Sequence, residues 1–165
     1  FRKATGLAAS LAGVILAIGA ASGGTDPFRP LAHFGLGGSS QQAAATEMTF
    51  VAASSTPELE QAMASADGRP TFVYFTAEWC VICKTIERDL LPSADVVAGL
   101  DGFQRIKVDL TDFNQANHGL MRDLAVVGPP TMIFFDANAA EPGGTRLIGD
   151  VGVDTLLASI SQARQ

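Results

Sequence analysis

Residues 46–165 predict an α/β domain, with a central mixed sheet and flanking helices, on three observations. Two apolar runs rich in β-branched and aromatic residues, "PTFVYFT" (70–76) and "TMIFFD" (131–136), have the character of strands buried on both faces. Helical patterns alternate with the early strands, as parallel crossover units require. The turn "ANAAEPGG" then leads into "TRLIGDV" (145–151), an antiparallel partner that closes the sheet with a hairpin.

Taken in order, "MTFVAA" (48–53) reads as a short first strand. "SSTPELEQAMASADG" (54–68) is a helix: Ser55 or Thr56 caps it, Pro57 fits its first turn, Leu59, Ala62, Met63 and Ala66 share a face, and Gly68 stops it. The strand at 70–76 hands over to a helix spanning 80–91 that ends near Pro92, and Ser93 caps a further short one to Leu100. "FQRIKVDL" (103–110) is a strand, and "NQANHGLMRDLAV" (114–126) is a helix with Ala116, Leu120 and Leu124 on its apolar face. After the hairpin, Asp154 caps a last helix that runs through Ile160. The expected order is β-α-β-α-(α)-β-α-β-β-α, which by itself leaves several folds open.

Composition limits the function. The formal net charge of −6 argues against a nucleic-acid partner, because phosphate binding needs a basic face. The mean hydropathy of +0.24 is high for a soluble chain, and the excess sits at one end. Residues 4–21, "ATGLAASLAGVILAIGAA", carry no charge and come just after the basic pair Arg2–Lys3. As a helix they would be about 27 Å long, slightly short of a hydrocarbon core. A signal peptide and a buried soluble helix are alternatives. The chain begins with Phe1, which suits a piece of something longer, so the expectation is a transmembrane helix within residues 1–21 with its basic side inward. Either exported reading places the chain beyond residue 21 outside the cytoplasm. Residues 22–45, rich in Gly, Ser, Ala and Gln, read as a flexible linker.

The chemistry sits in "FTAEWCVICKT" (75–85), which holds both cysteines of the chain. Cys80 falls where a buried strand passes into a helix N-terminus, whose free N–H groups and dipole favour a thiolate. Cys83 lies on the same helical face, within reach of a mixed disulfide on Cys80, so Cys80 attacks first and Cys83 resolves. Three blander readings compete. A structural disulfide over so short a loop restrains little of the unfolded chain. A metal site lacks further cysteines, and the two histidines are His33 and His118, although a two-coordinate copper(I) site needs only the pair. Inert core cysteines are the third. Redox exchange suits the strand–turn–helix context best.

"FTAEWCVICK" followed by "VVGPPTMIFF" resembles the thioredoxin family. More specifically, "STPELEQAMASADGRP", "AEWCVICKTIE", "VGPPTMIFFD" and "GDVGVDTLLASI" are similar to the C-terminal periplasmic domain of the DsbD membrane thiol:disulfide interchange proteins, from about Thr46 to Ile160. That resemblance implies a thioredoxin fold, with Pro130 as the cis-proline facing the cysteine pair and residues 4–21 as the last transmembrane helix. It implies a protein-disulfide reductase that needs no organic cofactor or metal. Its domain would sit in the periplasm, tethered to the bacterial inner membrane. Its partners would be a membrane electron-transporting domain of the same longer protein, as donor, and a periplasmic disulfide-bearing domain or protein, as acceptor. An independent anchored reductase for cytochrome c maturation is the other enzyme reading.

One departure stands out. Many thioredoxin-like proteins carry a buried acid six residues before the first cysteine, where this chain has Tyr74. Glu87, one turn past Cys83 at a position where DsbD-type domains carry an acid, is the remaining candidate for tuning the cysteines; an exposed helix glutamate is the alternative. Glu78 would disfavour the thiolate in the same direction. Trp79 is expected to pack beside the site and shape a docking surface, and Lys84 to be a solvated charge. Val81–Ile82 between the cysteines offers the thiolate no polar support, which suits a reducing pair.

Overall fold

The computed structural model describes residues 48–165; the expected membrane helix (1–21) and linker (22–45) lie outside the described residues. Five strands form one mixed sheet in the order β1-β3-β2-β4-β5. They are β1 (Val51–Ala52), β2 (Thr71–Thr76), β3 (Gln104–Asp109), β4 (Thr131–Phe135) and β5 (Leu147–Ile148). The first three run parallel, and β4 and β5 are antiparallel to the neighbours they pair with. The helices are α1 (Thr56–Ala64), α2 (Val81–Thr85), which continues as a π-helical turn over Ile86–Leu90, α3 (Ala94–Gly99), α4 (Gln115–Asp123) and α5 (Val153–Ala163). The expected element order holds throughout. The fold is the thioredoxin fold.

β2 lies centrally, and all six of its residues are buried. It pairs with β3 through Tyr74↔Lys107 and Thr76↔Asp109, and with β4 through Tyr74↔Met132 and Phe75↔Thr131. A strand closed in on both faces has to be mainly apolar, with its few hydroxyls paired, which is why the pattern there is a near-continuous run rather than an alternation. Phe72 stacks on Phe134 with ring centroids 5.1 Å apart. β1 is a short strand on the sheet edge, as expected, covering two residues within the 48–53 stretch.

The caps show what local chemistry achieves. Ser55 caps α1 by accepting from the Glu58 N–H, and Glu58 in turn accepts from the Ser54 N–H and hydroxyl at 2.8 and 2.7 Å. These bonds hold the Glu58 carboxyl below its usual range. Three expectations need correction. Ser93 stands at the cap position of α3, but its hydroxyl turns back to the Leu90 carbonyl at 2.7 Å instead of capping. Gly152, not Asp154, caps α5; Asp154 sits inside the first turn, where its charge meets the positive end of the helix dipole. The buried residues of α4 are Asn117, Leu120 and Met121, while Ala116 is exposed. At about 100° per residue, Ala116 lies roughly 90° from the centre of that face.

Candidate functional site

β2 ends at Thr76, and the chain turns once through Ala77–Cys80, with the Cys80 N–H donating to the Ala77 carbonyl at 3.1 Å. Cys80 is the N-cap of α2, and its Sγ accepts from the Cys83 N–H at 3.2 Å. The two cysteines form a disulfide, with Cα atoms 5.2 Å apart. Cys80 keeps 7% of its surface open, whereas Cys83 has none. An incoming reagent therefore meets Cys80.

Pro130 stands at the same end of the sheet. It precedes Thr131, which pairs with Phe75 near the end of β2, and the Pro129–Pro130 bond is cis as expected. The Pro130 carbonyl accepts from the Gly149 N–H at 2.9 Å. Trp79 is 57% exposed and lies open beside Cys80 rather than packed down. Val81 and Ile82 are likewise exposed apolar residues, so the cysteine turn carries an apolar rim, and Val127, three residues before Pro130, is exposed as well. Glu78 and Lys84 are exposed.

Behind the cysteines lies a cluster only half legible in the sequence. The Tyr74 hydroxyl donates to the Cys83 carbonyl at 3.4 Å. Its pKa is pushed up to about 12, chiefly by burial, with the Glu87 charge adding to the rise and Thr76 opposing it. Tyr74 thus occupies the position of the missing acid as a donor that stays protonated at neutral pH. Glu87 is half-buried and not a free helix glutamate: its Oε1 accepts from the Thr76 hydroxyl at 2.8 Å and meets Lys107 Nζ at 3.0 Å. The π-helical turn starting at Ile86 carries Glu87 and so helps set this geometry. Sequence reasoning missed Thr76 and Lys107. The signal available was strand alternation, which puts Tyr74 and Thr76 on one face of β2, with Lys107 beside Tyr74 across the β2–β3 ladder.

Among the described residues, no group of three or more His, Cys, Asp or Glu side chains is placed to hold a metal ion. In that same part of the chain no helix is long and apolar enough to cross a membrane.

A buried strand, a turn holding two cysteines at a helix N-terminus, and a cis-proline opening the adjacent strand define a thioredoxin-like redox site. The sequence agrees: the thioredoxin-like domain model matches residues 57–164, and the chain belongs to that family. Over 163 residues it is 34% identical to the thiol:disulfide interchange protein DsbD of Ralstonia nicotianae, a match covering 98% of this chain and 27% of the relative. DsbD 2 of Pseudomonas aeruginosa is 32% identical over 166 residues, covering 98% of this chain and 28% of the relative. The chain therefore spans little more than a quarter of the length of these relatives. Among solved structures, the C-terminal domain of Neisseria meningitidis DsbD in its reduced form matches with a TM-score of 0.59 at 23% identity, over 69% of this chain and 100% of that one. That likeness speaks for the fold. A thioredoxin from Thermus thermophilus matches with a TM-score of 0.53 at 27% identity, over 70% of this chain and 87% of that one.

Proposed function

We propose that this domain is a protein-disulfide reductase that relays reducing equivalents by dithiol–disulfide exchange. In the dithiol form the Cys80 thiolate attacks one sulfur of a partner disulfide and expels the other as a thiolate. Cys83 then loses its proton and attacks Cys80 Sγ, forming the Cys80–Cys83 disulfide and releasing the partner's second thiolate. Two electrons pass to the partner, and its two sulfurs take up the two protons that the cysteine pair gives up. The observation that carries this reading is the Cys83 N–H aimed at Cys80 Sγ at 3.2 Å, a donor placed where a thiolate charge would form.

The relay reading extends to setting. Similarity to the interchange proteins, together with the short share of their length that this chain spans, supports a domain of a longer inner-membrane protein. The donor is then a membrane domain of that protein. The acceptor is a periplasmic disulfide-bearing domain or protein, with cytochrome c maturation among the pathways served. Pro130 and the apolar rim including Trp79 receive the partner, Glu87 tunes the cysteines, and Glu78 adds negative charge beside Cys80.

The first test is the reduction potential of the Cys80–Cys83 pair, by equilibration with a dithiol buffer. A value at or below about −200 mV fits an electron donor, and one near about −120 mV marks an oxidant and reverses the direction of flow. Cys83→Ser should accumulate a mixed disulfide through Cys80, and Cys80→Ser should accumulate none. Copper(I) that stays bound to the chain through chelator dialysis, with no disulfide exchange, would favour a copper-handling module instead.

A further inference from the structure

We propose that Thr111 is a positioning residue for Cys80, acting through the backbone of Glu78; the inference rests on the exchange reading above. Thr111 lies just past the end of β3. Its N–H donates to Asp109 Oδ1 at 2.8 Å, and its hydroxyl donates to the same oxygen. With that proton committed, the hydroxyl oxygen is left as an acceptor. The Glu78 N–H fills it at 2.8 Å. Both capacities of the hydroxyl are used, one toward the sheet and one toward the active-site turn.

The two ends of this strut differ in firmness. Asp109 is fixed: it closes the β2–β3 ladder opposite Thr76, and its carbonyl accepts from Asn117 Nδ2 at 3.2 Å. Glu78 belongs to the turn between Ala77 and Cys80, which a single bond from the Cys80 N–H closes. The strut therefore ties the peptide just before Trp79 and Cys80 to the end of β3. When the disulfide is closed, the S–S bond already holds Cys80. When it is open, the turn depends on its hydrogen bonds, and the Thr111 hydroxyl limits how far Cys80 Sγ wanders from Cys83. Pre-ordering the dithiol lowers the entropy lost on closing the ring. Closure becomes more favourable, and the attack of Cys83 on a mixed disulfide becomes faster.

The experiment compares Thr111→Val and Thr111→Ser in the full chain, equilibrated with dithiothreitol and its oxidised form, with release of a glutathione mixed disulfide followed in parallel. One hydrogen bond is worth about 0.5–1.5 kcal/mol in all, and only the part that differs between the two redox forms reaches the potential, so Thr111→Val should disfavour the disulfide about threefold. That change raises the potential by about 15 mV and slows release by a similar factor. Thr111→Ser keeps the hydroxyl and should stay within about twofold of the unaltered chain on both readouts. A purely structural role would lower Tm equally in both redox forms and leave the potential unmoved; that result overturns the proposal. So does a Thr111→Ser variant that shifts as far as Thr111→Val. Should Thr111→Val fail to fold, Asp109→Asn weakens the same strut from its other end and must shift the potential upward too. If the unaltered chain reduces no protein disulfide, the exchange reading fails, yet the shift measured against dithiothreitol still decides the part played by Thr111.

Discussion

Glu87 and Lys107 meet at 3.0 Å, one from the π-helical turn just past the cysteines and one from β3. Thr76 donates to the same Glu87 oxygen. Glu87 lies four residues after Cys83, so in the dithiol its negative charge opposes ionisation of Cys83, and Lys107 offsets part of that field. Lys107→Met should therefore move the pH midpoint of mixed-disulfide release upward, and Glu87→Gln should move it downward. The double variant should fall between the two single variants, since the fields of the two opposite charges add at Cys83. Stability should change by no more than about 1 kcal/mol for Lys107→Met, because the pair is partly open to solvent. Release rates measured across pH check this, and shifts of the same sign in both single variants would sink the account.

Tyr74 gives a second handle, because it is the only tyrosine in the chain and can be titrated alone by ultraviolet absorbance. The native state holds its phenolic proton up to about pH 12, whereas an unfolded chain releases it near the ordinary value of 10.0. A raised native pKa means that the contribution to stability is fully present below the unfolded pKa and is lost as pH rises through the native one. Unfolding free energy should thus fall between pH 10 and pH 12, and Tyr74→Phe should flatten that fall. A native titration midpoint near 10 would contradict it.

These two side chains also mark what was legible in the sequence. The strand–helix order, the central buried strand and the cysteine turn were readable because each is written in a contiguous pattern: an apolar run, a cap, a spacing. Tyr74 was visible as a departure, and Glu87 as a candidate. Their geometry was not, because it depends on a π-helical turn that no residue in "KTIERDL" announces and on Lys107, which β-pairing brings in from another part of the chain. The misplaced face of α4 has a simpler cause: the four-residue spacing Ala116–Leu120–Leu124 drifts around a helix of 3.6 residues per turn, while Asn117, Leu120 and Met121 keep to one side. A polar Asn at the centre of that face is what hid it.

Val127 carries a third prediction. It is 88% exposed, so it contributes little to the core, and burying it against a partner would remove apolar surface from water. Val127→Asp should leave reduction of glutathione disulfide within about twofold, because a small disulfide needs little beyond Cys80. Reduction of a protein disulfide such as that of insulin should slow about tenfold or more, the effect of leaving a charge against an apolar contact. Equal rates with insulin for both forms would show that Val127 takes no part in docking.

Asn117 supplies the last. Among the described residues, its Oδ1 is the buried side-chain oxygen left without a hydrogen-bond partner, while its Nδ2 donates to the Asp109 carbonyl. Asn117→Leu removes the orphaned acceptor along with the one good bond. Those effects oppose each other, so the variant should lie within about 1 kcal/mol of the unaltered chain in urea denaturation. Asn117→Asp does the opposite. It replaces the donor facing the Asp109 carbonyl with a second acceptor and buries a carboxylate, so its native pKa must rise. Such a group costs nothing while protonated in both states, and its penalty grows as pH climbs above the unfolded value near 4. Asn117→Asp should consequently be close to Asn117→Leu in stability at pH 4 and several-fold worse in its folding equilibrium at pH 7. A penalty that does not depend on pH would mean that the new carboxylate has turned out to solvent, and that the interior at Asn117 yields more readily than its packing against β3 implies.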